Sequence, residues 1–231
     1  IVDAGSTMVA IARQSMKAGL TGFEWGAGVP GTIGGAVRGN AGAMGGEMKD
    51  VVVSVEAYRS GEVVLCSNQA CHFGYRESAF KHSRDVVLRA TLGLQKSGNQ
   101  ELIKTALAHL QYRNQTQPQG WASTGCIFKN VELKGTHGEA HRQRLLQHFD
   151  ATDPKVEEFL HREKISAGWL VEQSGMKGSR VGQAQVSERH GNFVVNLGKA
   201  SAHDVLTLIE EVKNKVYDKF GIHLEEEIQI L

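Results

Sequence analysis

The sequence predicts an α+β fold in two parts. Three observations carry that expectation. Residues 51–59 (VVVSVEAYR) and 62–67 (EVVLCS) are rich in β-branched residues and flank Ser60-Gly61, which marks an antiparallel hairpin. Helical periodicity appears on either side of this strand block rather than alternating with strands. The texture then changes after Gln117-Pro118, which sets a boundary between residues 1–115 and 116–223.

The elements follow in order. Ser6 is placed to cap a helix over residues 7–18, with Met8, Ile11, Ala12 and Met16 on one stripe and Gly19 as its stop. Residues 85–94 read as a third strand. Asn99 is placed to cap a helix over 100–113, with Leu102, Ala106 and Leu110 at helical spacing. A short strand is expected around Cys126-Ile127-Phe128. Residues 131–166 are polar and hold four histidines, and they read as a solvated helical insertion. His137/His141 alone has i,i+4 spacing, without an acid or cysteine cluster, so no metal site is expected. Residues 167–174 form a short helix ended by Gly175, and 183–187 and 192–197 form strands. Ser201-x-x-Asp204 opens an amphipathic helix with Val205, Leu208, Ile209, Val212 and Val216 buried, ended by Gly221. Residues 224–231 alternate as a last strand.

Composition excludes several classes. The 231 residues are 41% hydrophobic and 22% charged with a net charge of +1, which argues against nucleic acid or an anionic membrane as the main partner. No apolar run approaches the ~20 residues that a membrane span requires. Three cysteines, Cys66, Cys71 and Cys126, are odd in number and lack metal spacing, which points to a reducing compartment, the cytoplasm.

One segment stands out. Residues 26–47 (GAGVPGTIGGAVRGNAGAMGGE) contain nine glycines. Gly26-x-Gly28-x-x-Gly31 has the dinucleotide-fold spacing, but a helix rather than a strand precedes it. Pro30 interrupts it, and Gly34, Gly35 and Gly39 argue against a helix directly after it. The expectation is a loop that lets its backbone approach a phosphate or cofactor, without the Rossmann arrangement.

The segment GFEWGAGVPGTIGGAVRGNAGAMGGE resembles the flavin-binding segment of the UDP-N-acetylenolpyruvoylglucosamine reductase family. FGYRESAF (73–80), QPQGWASTGCIFKN (117–130), AGWLVEQSGMKGSRVGQAQVSERHGNFVVN (167–196) and LEEEI (224–228) continue the resemblance in order. It implies a flavin-binding subdomain of the vanillyl-alcohol-oxidase type over 1–115, completed by 224–231, with another such subdomain ahead of residue 1. A substrate-binding domain over 116–223 would follow. The implied activity is reduction of the enolpyruvyl group of UDP-N-acetylglucosamine enolpyruvate by a monomeric enzyme using FAD and NADPH. The flavin would lie against Gly28, Val29, Pro30, Gly31, Thr32, Gly34, Gly35, Asn40 and Gly42. Arg76 and Glu227 match the family's catalytic arginine and glutamate. Cys126 stands where the family usually has its proton-donating serine, and a thiol, with an ordinary pKa of about 8.5, is the stronger acid. Lys129 and Asn130 match a substrate-contacting pair, although Val131 replaces the proline that follows it. Ser187, Arg189, His190 and Asn192 fall in the segment that faces the nucleotide substrate. The absence of a tyrosine-bearing loop in 81–116 resembles the family's second type. The competing reading is a non-catalytic relative that binds substrate or regulates without holding flavin.

Overall fold

The computed structural model describes residues 1–97 and 99–230, with the side chains of 99–101 outside that description. The chain forms two compact units, Ile1–Gln115 and Thr116–Leu231.

In the first unit, the hairpin forms as its sequence dictates. Val52–Arg59 and Glu62–Ser67 pair antiparallel with Tyr58 opposite Val63. Ser60 (φ 48°) and Gly61 (φ 99°) are both left-handed, the geometry of a two-residue turn that follows strand twist. Val86–Leu92 pairs with the other side of Val52–Arg59, and Val2–Asp3 pairs with Val86–Leu92 to complete a four-stranded sheet. The helix Met8–Lys17 begins at Thr7 rather than Ser6, because the Thr7 hydroxyl accepts from the Ala10 N–H. Val51, expected to open the strand, instead ends one helical turn over Met48–Val51. Glu47 and Asp50 cap each other's backbone there and delay the strand to Val52. The helix Asn99–Thr116 is present, and the capping role expected of Asn99 lies outside the described residues. Met8, Phe23, Trp25, Ile33, Val37, Met48, Val55 and Phe80 lie in this unit's core.

The glycine-rich segment overturns one expectation. A helix does follow it, Ile33–Arg38, despite Gly34 and Gly35. Thr32 caps it by accepting from the Gly35 N–H. Packing decides the outcome: a Cβ on Gly34 would sit 2.9 Å from the Ala4 Cβ, so only glycine lets this turn approach residue 4. Low intrinsic propensity is overridden by that close fit.

In the second unit a four-stranded antiparallel sheet runs Arg180–Val181, Ala184–Val186, Phe193–Asn196, Ala122–Cys126. Ala202–Phe220 packs on it through Leu208, Ile209, Val212, Val216 and Phe220. Its N-terminus carries the expected capping box, Ser201 with Asp204, and Gly221 (φ 65°) ends it. Residues 131–166 are not a solvated insertion. They form Gly138–His148 and Pro154–Arg162, and contribute Leu145, Val156, Phe159 and Ile165 to the core. Each helix offers few apolar residues, but they fall on one face. Residues 224–230 do not form a regular strand. They run beside 127–129 of this same unit, through a bridge between Phe128 and Glu226.

Candidate functional site

In the first unit, the glycine-rich segment and the arginine motif meet. Gly74 and Glu77 exchange backbone hydrogen bonds at 3.0 and 3.1 Å, closing a tight turn that holds Arg76 in the left-handed region (φ 56°). The Arg76 guanidinium donates through Nη2 to the Gly42 carbonyl (3.0 Å) and lies 5.2 Å from the centre of the Tyr75 ring. A Cβ on Gly42 would come within 3.3 Å of Nη1, so glycine there admits the guanidinium.

The glycines of this segment have different tasks. Gly42 also lies against the Glu47 Cβ and the Gly46 carbonyl, and Gly46 against the Trp25 ring, so these positions serve chain-to-chain contact. Gly28 faces the Arg113 side chain. Gly31 is different: φ is 110°, and the space where a Cβ would stand is open. Pro30, Gly31, Thr32 and Gly35 are exposed, and Val29 and Gly28 half-buried, so a ridge of bare backbone lies available. That ridge fits a flat or phosphate-bearing group such as FAD laid against main chain. Asn40, expected to contact the cofactor, is instead fully buried. Its Nδ2 donates to Glu47 Oε2 (2.8 Å) and the Gly74 carbonyl (2.7 Å), and its Oδ1 accepts from the Lys49 N–H (2.9 Å).

In the second unit, residues 126–130 run between two neighbours. Cys126, half-buried, pairs with Phe193 at the end of its strand, after Gly125 (φ 87°) has turned the chain. Asn192 is buried and clasps Phe128 from both ends: its Oδ1 accepts from the Phe128 N–H and its Nδ2 donates to the Phe128 carbonyl, both at 2.8 Å. On the other side, Lys129 donates its N–H to the Glu225 carbonyl (2.8 Å), and Glu227 donates its N–H to the Ile127 carbonyl (2.7 Å). Cys126 and Glu227 are therefore anchored to adjoining residues of one backbone ladder.

The three glutamates separate by partner. Glu225 pairs with the Lys129 ammonium at 2.5 Å. Glu226 meets Lys213 at 2.7 Å. Burial pushes the Glu226 carboxyl up, but the Lys213 hydrogen bond and charge and a backbone N–H outweigh it, so Glu226 is held below its ordinary value and stays ionised. Glu227 follows on the Ile127 side.

The remaining candidates divide. Asn130 Oδ1 accepts from the Ala167 N–H (3.1 Å), fixing the start of the helix Ala167–Gln173. Ser187 is buried, and its hydroxyl accepts from the N–H groups of Arg189 and His190. His190 packs its ring on Phe193 and Gly168, and its Nδ1 accepts from the Asn192 N–H. Both residues thus shape the turn from within. Arg189 is exposed, and with Trp121, Gln185 and Pro118 it lines a groove of about 250 Å³. Sequence reasoning missed Trp121, 53% exposed at the groove's edge, although its place in QPQGWAS was a usable signal.

Residues 117–231 match the model for the UDP-N-acetylenolpyruvoylglucosamine reductase C-terminal domain, and residues 1–67 match an FAD binding domain. A UDP-N-acetylenolpyruvoylglucosamine reductase of Caldanaerobacter subterraneus subsp. tengcongensis is 38% identical over this whole chain, and one of Clostridioides difficile is 40% identical over 99% of it. The chain spans about two thirds of these relatives' own length, 67% and 66%. The crystal structure of the Thermus caldophilus reductase, MurB, matches with a TM-score of 0.76 at 32% identity, covering 98% of this chain and 70% of that one. Sequence, fold and relatives converge: the chain belongs to the UDP-N-acetylenolpyruvoylglucosamine reductase family.

Proposed function

We propose that this chain carries the FAD-dependent reduction of the enolpyruvyl group of UDP-N-acetylglucosamine enolpyruvate to UDP-N-acetylmuramate, a step of peptidoglycan precursor synthesis, with NADPH as reductant. The observation that supports the reading is the contact of Arg76 with Gly42, which would set a carboxylate-binding guanidinium beside a backbone segment suited to flavin. The first unit would hold the flavin and the second the substrate, in the cytoplasm, where the nucleotide-linked precursor is soluble.

When bound, FAD would supply the hydride, drawn from NADPH, for the substrate's methylene carbon. Arg76 would present paired N–H donors to the substrate carboxylate and balance the negative charge that grows there. Cys126 would then give its proton to the neighbouring carbon: the S–H bond breaks, a C–H bond forms, and the thiolate regains a proton from water. Glu227 would add a carboxyl on the adjoining segment, within the same proton exchange. Lys129 and Arg189 would offer positive charge to the diphosphate, with Trp121 beside Arg189.

The test joins three measurements on the purified protein. A flavin absorption spectrum and NADPH oxidation that depends on the enolpyruvyl substrate are expected. Cys126→Ala should lower turnover by roughly 10²–10⁴-fold and lower solvent-deuterium delivery to the product, with Cys126→Ser recovering part of both. Unchanged turnover in Cys126→Ala would remove the thiol from the mechanism. A colourless protein inert toward NADPH would identify the non-catalytic reading instead.

A further inference from the structure

We propose that Asn40 and Ser78 are positioning residues that set the pose of Arg76. Three side-chain hydrogen bonds join residues 38–42 to residues 74–78. Asn40 Nδ2 donates to the Gly74 carbonyl at 2.7 Å, Ser78 Oγ donates to the Arg38 carbonyl at 2.7 Å, and Arg76 Nη2 donates to the Gly42 carbonyl at 3.0 Å. The first two come from residues that are 0% and 2% exposed, and they engage Gly74 and Ser78, two residues before and two residues after Arg76.

Asn40 is unusually committed. Both its N–H groups and its carbonyl are used, and its own backbone is left-handed (φ 42°), a conformation asparagine tolerates better than other side chains. Arg76 also has a left-handed backbone, which a non-glycine residue keeps only where its surroundings impose it. Gly74, which opens the turn, and Ser78, which follows its closing residue Glu77, are the points that Asn40 and the Arg38 carbonyl grip. The guanidinium is thereby aimed from its base as well as held at its tip by the Gly42 carbonyl. A misplacement of ~1 Å at such a group is enough to cost about 10²-fold in rate.

The proposal rests on Arg76 acting on the substrate carboxylate, so the experiment includes Arg76→Lys as its reference. Asn40→Asp keeps the acceptor for Lys49, loses the donors to Gly74 and Glu47, and sets a carboxylate beside that of Glu47, a cost that the stability measurement reads out. Ser78→Ala removes one hydrogen bond and little volume, which keeps a folded variant in hand. Flavin-loaded enzyme is studied in two half-reactions, bleaching by NADPH and recolouring by the enolpyruvyl substrate. Substrate affinity is measured separately by calorimetry, and thermal stability alongside. The expected result is bleaching within about twofold of the parent, with recolouring slowed about tenfold in Ser78→Ala and about 10²-fold in Asn40→Asp. Added to Arg76→Lys, either change should slow recolouring by less than about twofold more, because the same aim is already lost. Multiplicative effects in the double variants, or equal slowing of both half-reactions, would make Asn40 and Ser78 merely structural and overturn the proposal. If Arg76→Lys alone leaves recolouring and affinity unchanged, the failure lies in the role of Arg76.

Discussion

His190 shows how a single residue can be read in two ways. Its place in VSERHGNF suggested a substrate ligand, but its Nδ1 is occupied by the Asn192 N–H and its ring by Phe193. Burial first, then the charge of Lys177, hold the imidazole below its ordinary value, with Glu172 opposing. The folded form therefore binds the proton less readily than the unfolded chain, whose imidazole titrates near 6.5. Stability from this residue is present above about pH 6.5 and is lost as pH falls below it, since protonation also removes the acceptor for Asn192. The urea midpoint should fall between pH 7.5 and 5.5. His190→Asn, which can offer a carbonyl in place of Nδ1, should flatten that dependence, and an unchanged slope would place the titration elsewhere. Nothing in the residue type separates these roles, because imidazole suits both a ligand and a core acceptor. Asn40 and Asn130 were equally ambiguous in sequence, and the structure gives each a backbone partner, 34 and 37 residues away. Cys126, Arg76 and Glu227 were singled out because they sit in longer motifs, and their roles remain the proposal made above.

At the scale of elements, periodicity was the more dependable guide. The hairpin 52–67 and the helix Ala202–Phe220, with its capping box, lie where alternation, turn chemistry and apolar stripe put them. The helix Ile33–Arg38 was illegible, because the reason for its glycines is a contact with residue 4 rather than a local preference. This gives a sharp expectation. Gly34→Ala raises helix propensity yet should destabilise the first unit by about 1–3 kcal/mol, through overpacking against Ala4. Ala4→Gly in the same chain should recover part of the loss. Gly31→Ala should also destabilise, by the strain of a positive φ, and Ala4→Gly should give it no relief. Denaturant midpoints for the four variants decide the matter, and a Gly34→Ala protein as stable as the parent would mean that the propensity gain prevails. The residues 131–166 failed in the opposite sense: their polarity masked Leu145, Val156 and Phe159, which are buried.

For the whole molecule, each unit has its own apolar core, one drawn from residues 8–106 and the other from 127–224. Residues 116–231 expressed alone should therefore unfold in one cooperative urea transition, with a slope near 1–3 kcal/mol/M. A broad, slope-less loss of structure would mean that this core needs the rest of the chain. The texture change near residue 117 made two parts visible in the sequence, whereas the pairing of residues 225–227 with 127–129 was invisible, since an isolated bridge leaves no periodic trace. The cross-ties between residues 38–42 and 74–78 bear on how this protein can be re-engineered. The arginine motif is not a portable cassette. Moving residues 73–80 into another scaffold would carry the guanidinium but leave behind the asparagine and the carbonyls that give it direction, so a useful graft must take both stretches and the distance between them.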